Sequence, residues 1–107
     1  MNNYLSWSDL EKVKILITNE LSGIGQTEKW EPGAMAWETL HFKTQKDTYN
    51  LFVSCRQNNR FGLGIFKYPS LETLFNETIP FDENVAEVLH NILNSKLGAS
   101  DADNATH

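Results

Sequence analysis

The chain of 107 residues contains a single cysteine, Cys55. No intramolecular disulfide can form, and the chain alone cannot build a zinc site on thiolates. No apolar run approaches the roughly 20 residues that a membrane-spanning helix needs. The first seven residues lack both the basic and the apolar stretch of a secretory leader. The expectation is a soluble cytoplasmic protein with no membrane partner. A phosphate-binding glycine loop is also lacking, because Gly62-Leu63-Gly64 has no third glycine and no following helix. Positive charge is scarce from Ser70 onward, where Lys96 stands alone against Glu72, Glu77, Asp82, Glu83, Glu87, Asp101 and Asp103, a net of −6. Residues 1 to 69 carry seven acids and eight bases, net +1, which together give the formal −5. An acidic C-terminal part attracts a basic protein surface and disfavours nucleic acid and anionic membrane.

Apolar residues make up 40% of the chain and charged residues 21%, values of a folded globular protein rather than of a disordered one. The length suits one core. Ser8 and Glu11 have the spacing of a capping box. Leu10, Val13, Ile17, Leu21 and Ile24 then recur at three to four residues, with Leu16 widening the stripe and Lys12, Lys14 and Glu20 off it, so an amphipathic helix is predicted. Gly23 and Gly25 can end it in the left-handed conformation, and residues 26 to 33 read as a loop.

Between Ala34 and Tyr68 the period changes to two, which predicts strands. Tyr49, Leu51, Val53 and Cys55 alternate with Asn50, Phe52, Ser54 and Arg56, and Phe61, Leu63 and Ile65 alternate with Gly62, Gly64 and Phe66. A two-residue turn at Asn58-Asn59 would set apolar side chains against glycines. A three-residue turn at Gln57-Asn58-Asn59 pairs Cys55 with Phe61, Val53 with Leu63 and Leu51 with Ile65, and burial favours that register. Asn59 is then the left-handed residue, and Phe52 covers Gly64 from the other face. The first strand, Met35 to Lys43, brings Glu38 inward beside Val53, a conflict that a bulge would relieve.

Ser70 is positioned to cap a short helix through Leu71, Leu74 and Phe75, with an extended edge segment as the alternative. Asp82 caps a last helix on which Val85, Val88, Leu89, Ile92, Leu93 and Lys96 form the stripe and which Gly98 ends. Residues 99–107 read as a disordered tail, leaving one domain over 1–98. The predicted fold is α+β: a three-stranded antiparallel meander with an N-terminal and a C-terminal helix, in two layers, ordered α-β-β-β-(short α)-α. Trp37, Phe52 and Phe66, with His41 nearby, then form an aromatic patch on the second sheet face. The competing arrangement puts one helix on each side and hides it.

Chemistry finds little support. Cys55 and His41 fall on opposite faces, so a thiol nucleophile lacks a base, and a small buried hydrophobe is the better account of Cys55. Glu87 and His90 resemble only half of a carboxylate-bridged metal site. The run Gly62 to Tyr68 echoes the strand motif of RNA-recognition domains, but Leu63 and Ile65 stand where that motif places its stacking aromatics. Arg56, Arg60, Lys43, Lys46 and Lys67 are expected to line one hairpin end as a small basic patch. Trp7 and Trp30, beside loops, read as lids on the core. Asp9 with Glu11 and Asp82 with Glu83 start helices, where capping and the dipole account for them.

In size, acidity and element order the chain is similar to small inhibitors, toxin-immunity proteins, phage-encoded anti-defence proteins and secretion chaperones, a likeness of shape and charge alone. The resulting expectation is a protein-binding module that is not an enzyme and needs no cofactor or metal. In it Glu72, Glu77, Asp82, Glu83 and Glu87 supply charge against a basic partner, such as a nuclease or other nucleic-acid-processing enzyme, and Trp37, Phe52 and Phe66 supply buried area. The competing expectations are a homodimer closed through the aromatic face and a small ligand-binding domain using His41.

Overall fold

A computed structural model describes residues 3–33 and 37–98. Helix α1 spans Trp7–Ser22, and two short strands follow, β1 (Gln26–Thr27) and β2 (Glu31–Pro32). Four longer strands come next: β3 (Glu38–Lys43), β4 (Thr48–Arg56), β5 (Arg60–Tyr68) and β6 (Thr73–Pro80). Helix α2, Val85–Leu93, closes the fold and runs into a π-helical turn, Asn94–Gly98. The antiparallel sheet is ordered β1-β3-β4-β5-β6, with β2 also on the outer side of β3.

The central hairpin follows from its alternation. Cys55 pairs with Phe61, Val53 with Leu63, Leu51 with Ile65 and Phe52 with Gly64. Asn58 and Asn59 of the turn both have positive φ, 61° and 55°, a conformation asparagine tolerates better than most residues. The face so defined is buried: Leu40, Phe42, Leu51, Val53, Phe61, Leu63, Ile65 and Ile79 join Leu10, Val13, Ile17 and Leu21 of α1 and Val85, Leu89 and Leu93 of α2 in one core cluster. At about 1.5–3 kcal/mol for each large side chain removed from water, this cluster dominates the folding energy. Both helices therefore lie on one face, and the fold is two-layered.

Several boundaries differ from expectation. The α1 cap is Ser6, whose hydroxyl accepts the Asp9 amide at 3.1 Å, and Ser8 lies inside the helix. Gly23 ends α1 at φ −87°, and no described glycine is left-handed. Gly25 is required for close approach instead, since a Cβ there would stand 2.3 Å from the Lys43 carbonyl oxygen. Residues 26 to 33 contribute β1 and β2 to the sheet rather than a bare loop.

The short helix after Ser70 is replaced by β6. Phe75 and Ile79 face Ile65 and Phe61 across the ladder, so a period of two outweighs local helical spacing. The Asp82 carboxylate accepts the Asn84 amide before α2, whose N-cap is Asn84. The wider π turn brings Leu97 rather than Lys96 into the core. Leu5, outside any periodic run, is buried in the core, and its amide donates to the Arg56 carbonyl at 3.0 Å. Met35 and the 99–107 tail lie outside the described residues.

Glu38 needs no bulge. It pairs in register with Val53, and its carboxylate accepts from Lys14 Nζ of α1 at 2.7 Å. Lys14 is only 7% exposed, is also 2.6 Å from Glu11 and sits over the Trp30 ring. Trp30 Nε1 donates to Thr18 Oγ1 at 3.0 Å, which closes β2's approach over the helix. The irregularity in the sheet lies elsewhere, between Ile65 and Phe66 against β6.

Burial is the largest influence on the Lys14 amine and works against its charge, but hydrogen bonds and attraction from Glu11 and Glu38 together outweigh it and raise the pKa above 10.5. Lys14→Met should cost about 2–4 kcal/mol in chemical denaturation by stranding Glu38, and adding Glu38→Leu should restore most of it. Because the folded value is the raised one, this stabilisation is complete below pH 10.5 and is lost as pH rises through the folded value. The wild-type melting temperature should fall more steeply there than that of the double variant.

Candidate functional site

The sheet face turned away from both helices presents side chains in cross-strand rows. One row runs Thr39, Phe52, Gly64, Asn76 across β3 to β6. Next to it on one side lie His41, Asn50 and Phe66, and on the other Ser54, Gly62 and Thr78. Beyond these, at the hairpin end, Arg56 pairs with Arg60. Trp37, just before β3, accepts the Gly33 amide on its carbonyl at 2.7 Å, and its ring lies on this face beside Phe52.

The aromatic trio expected from the sequence comes together. Phe52 stands edge-on to Trp37 at 6.3 Å and to Phe66 at 5.5 Å between ring centroids. The two glycines of β5 shape the floor beneath the rings. A Cβ on Gly64 would lie 2.7 Å from the Phe66 ring, and one on Gly62 would lie 2.9 Å from Ser54 Oγ and 3.3 Å from the Trp37 ring. Lacking those carbons, the sheet lets the indole and the phenyl settle against its backbone. They border an open, mainly apolar cleft of about 440 Å³ lined by Gly33, Trp37, Thr39, Phe52, Phe66 and Asn76. That size lies in the range of ligand sites and of pockets for one or two partner side chains.

Polar groups around the cleft are few. Ser54 is 4% exposed and its Oγ has no hydrogen-bond partner among the described residues, an unusual state for a buried hydroxyl. His41 Nδ1 is bonded to Asn50 Oδ1, and its imidazole borders a separate cleft with Gln26, Thr27, Glu28 and Lys43. Arg56 lies over the Trp37 ring at 5.8 Å. Arg60 donates to Thr78 Oγ1 at 3.0 Å and to the Thr78 carbonyl at 2.9 Å.

The expected five-residue basic patch does not form. Lys43 and Lys46 lie at the β3–β4 end with Lys67, which pairs with Asp47 at 3.7 Å, whereas Arg56 and Arg60 close the opposite end. Trp30 is half-buried against the core, while Trp7 is 56% exposed and lids nothing.

The five acids are placed off the aromatic cleft. Glu77 pairs with Leu63 and so has the parity of the helix side of β6. Glu72 occupies the β5–β6 turn, where its carbonyl accepts the Lys67 amide. Asp82 and Glu83 precede α2, and Glu87 is exposed in its first turn. The acids thus follow β6 and the start of α2, with Glu72 and Asp82 roughly 30 Å apart at strand spacing.

His90 binds Glu20 of α1 at 2.8 Å rather than Glu87, with Asn94 donating to the same carboxylate at 3.3 Å. Among the described residues no three His, Cys, Asp or Glu side chains group as metal ligands. Cys55 is half-buried with its thiol directed at the Ser6 carbonyl, and burial first, then the Glu38 and Asp9 charges, push its pKa up. Among the described residues no helix is long and apolar enough to cross a membrane. Family models, curated proteins and solved structures offer no match to this chain.

Arg56, Thr39, Ser54 and Asn76 complete the site beyond the residues singled out from sequence. Alternation alone assigned Ser54 and Arg56 to the Phe52 face; Asn76 required β6 to be recognised as a strand. Ser54→Ala should be neutral or raise stability by up to about 1 kcal/mol in urea denaturation, because it removes an unsatisfied buried hydroxyl. Gly64→Ala should displace the Phe66 ring, seen as shifted aromatic resonances, while the core methyl resonances stay in place.

Proposed function

We propose that this protein is a non-catalytic binding module that docks the open face of its sheet onto another protein. The observation that carries the reading is the aromatic cleft of Trp37, Phe52 and Phe66, which lies opposite both helices with no covering element among the described residues. Interfaces draw most of their affinity from a few aromatic or arginine anchors seated near the centre. The acids along β6 and α2 flank this seat rather than fill it. Their part is to speed encounter with a partner whose wider surface is basic, and to repel polyanions. An inhibitor or immunity-type role against a nucleic-acid-processing enzyme suits that charge, with Glu72, Glu77, Asp82, Glu83 and Glu87 as the steering set.

Closure into a homodimer through this face is the weaker reading. Arg56 and Arg60 stand at one end of the face and Lys43 at the other, so stacking two copies sets base near base, while the acids with the parity of this face, Glu28 and Glu31, lie along its β3 edge.

Phe52→Thr combined with Phe66→Thr should leave the fold intact, since both rings lie outside the core cluster. The pair should weaken a partner recovered by affinity purification by at least thirtyfold, about 2 kcal/mol for one anchor. Reversal of Glu77, Asp82 and Glu87 should slow association and flatten its salt dependence. Recovery of no protein at low salt, or equal recovery by the aromatic variant, would overturn the reading.

A further inference from the structure

Arg56 and Arg60 face each other directly across the last pair of the β4–β5 hairpin. Like charges in that position repel and cost stability. Neither arginine has a described carboxylate within ion-pair distance, whereas Lys12, Lys14 and Lys67 each do. Both guanidinium groups are nevertheless held in place: Arg56 lies over Trp37, and Arg60 is fixed by two hydrogen bonds to Thr78. These contacts leave donors on both groups free of acceptors among the described residues. The two side chains also border a polar cleft of about 380 Å³ with Tyr4, Gln57, Asn58 and Thr78.

We propose that Arg56 and Arg60 form a clamp for a carboxylate of the docking partner, at the end of the aromatic cleft. The guanidinium fork matches a carboxylate in two parallel hydrogen bonds, and prior fixation lowers the ordering cost of forming them. Bound carboxylate also cancels the repulsion between the two arginines.

Two row spacings separate the clamp from the Phe52–Gly64 row, about 13 Å at strand geometry. The occupant is therefore an extended segment of a partner protein carrying an acidic side chain four residues from an aromatic one. A nucleic acid fits less well, because the clamp is one local pair on a chain of net charge −5 and a phosphate backbone would meet repulsion beyond it. The Trp37 and Phe66 rings also each pack edge-on with Phe52 instead of lying as separate stacking platforms. This inference rests on the docking reading of the aromatic cleft.

The test is a titration of the full ¹⁵N-labelled chain with acetyl-Asp-Asp-Ser-Thr-Ser-Phe-Val-Ser-amide and with its reversed sequence. Controls are the same peptides with asparagine in place of both aspartates, and decathymidylate. The expected result is shifts at the Gly62 and Gly64 amides and the Arg56 and Arg60 Nε–H groups with at least one acidic peptide, and tenfold or weaker binding of its asparagine counterpart. Arg56→Gln should lose about tenfold for the acidic peptide and nothing for the neutral one. Its melting temperature should stay level or rise, which a merely structural arginine would not allow. Equal affinity for acidic and neutral peptides, with the glycine amides shifting, would sink the clamp while leaving the docking face standing. No shift at those glycines with any peptide would overturn both. Tighter binding of decathymidylate at the same amides would replace the clamp's carboxylate by phosphate and overturn the assignment.

Discussion

The register of the β4–β5 hairpin is the constraint on which the other features depend. Its turn holds three residues, Gln57 to Asn59, and so every second side chain from Leu51 to Cys55 meets its apolar counterpart on β5. Had the turn held two, Cys55 and Val53 would have faced Gly62 and Gly64, and the core would have been lost to the solvent side. Once the register is set, the apolar face has to be covered. The stripes of α1 and α2 are the only amphipathic surfaces available among the described residues, and both are used on that side. The opposite face keeps its rings and glycines because no helix remains to cover it.

The Lys14–Glu38 pair shows how a polar conflict is absorbed without bending the strand. Glu38 has the parity of Leu40 and Phe42, and a carboxylate at that position has to be satisfied or expelled. The amine of Lys14 reaches it from about two turns inside α1, and the Trp30 ring closes over that amine. The pair also locks α1 to β3, an orientation that apolar packing alone would leave less defined.

Alternation and helical spacing made most of the fold legible. The two helices, the central register, the Phe52–Gly64 contact and the gathering of Trp37, Phe52 and Phe66 could all be read from the residues. Three features could not, each for a physical reason. Thr73 to Pro80 has apolar residues at both helical and strand spacings, and only pairing with β5 decides between them. Lys14 looks like an off-stripe solvated residue until its long stem is seen to reach Glu38 across 24 positions. The separation of the acids from the aromatic cleft depends on the three-dimensional path of β6 and α2, to which a count of charges along the chain is blind.

The sheet works as a partition between two sets of residues that share almost no neighbours. Side chains on one side set how firmly the chain folds, and those on the other set what it can hold. Exchanging Thr39, Phe52, Phe66 or Asn76 leaves the helix-facing interior untouched. Lineages carrying such a scaffold are thereby free to retarget it, one contact at a time, without first accumulating a reserve of stability.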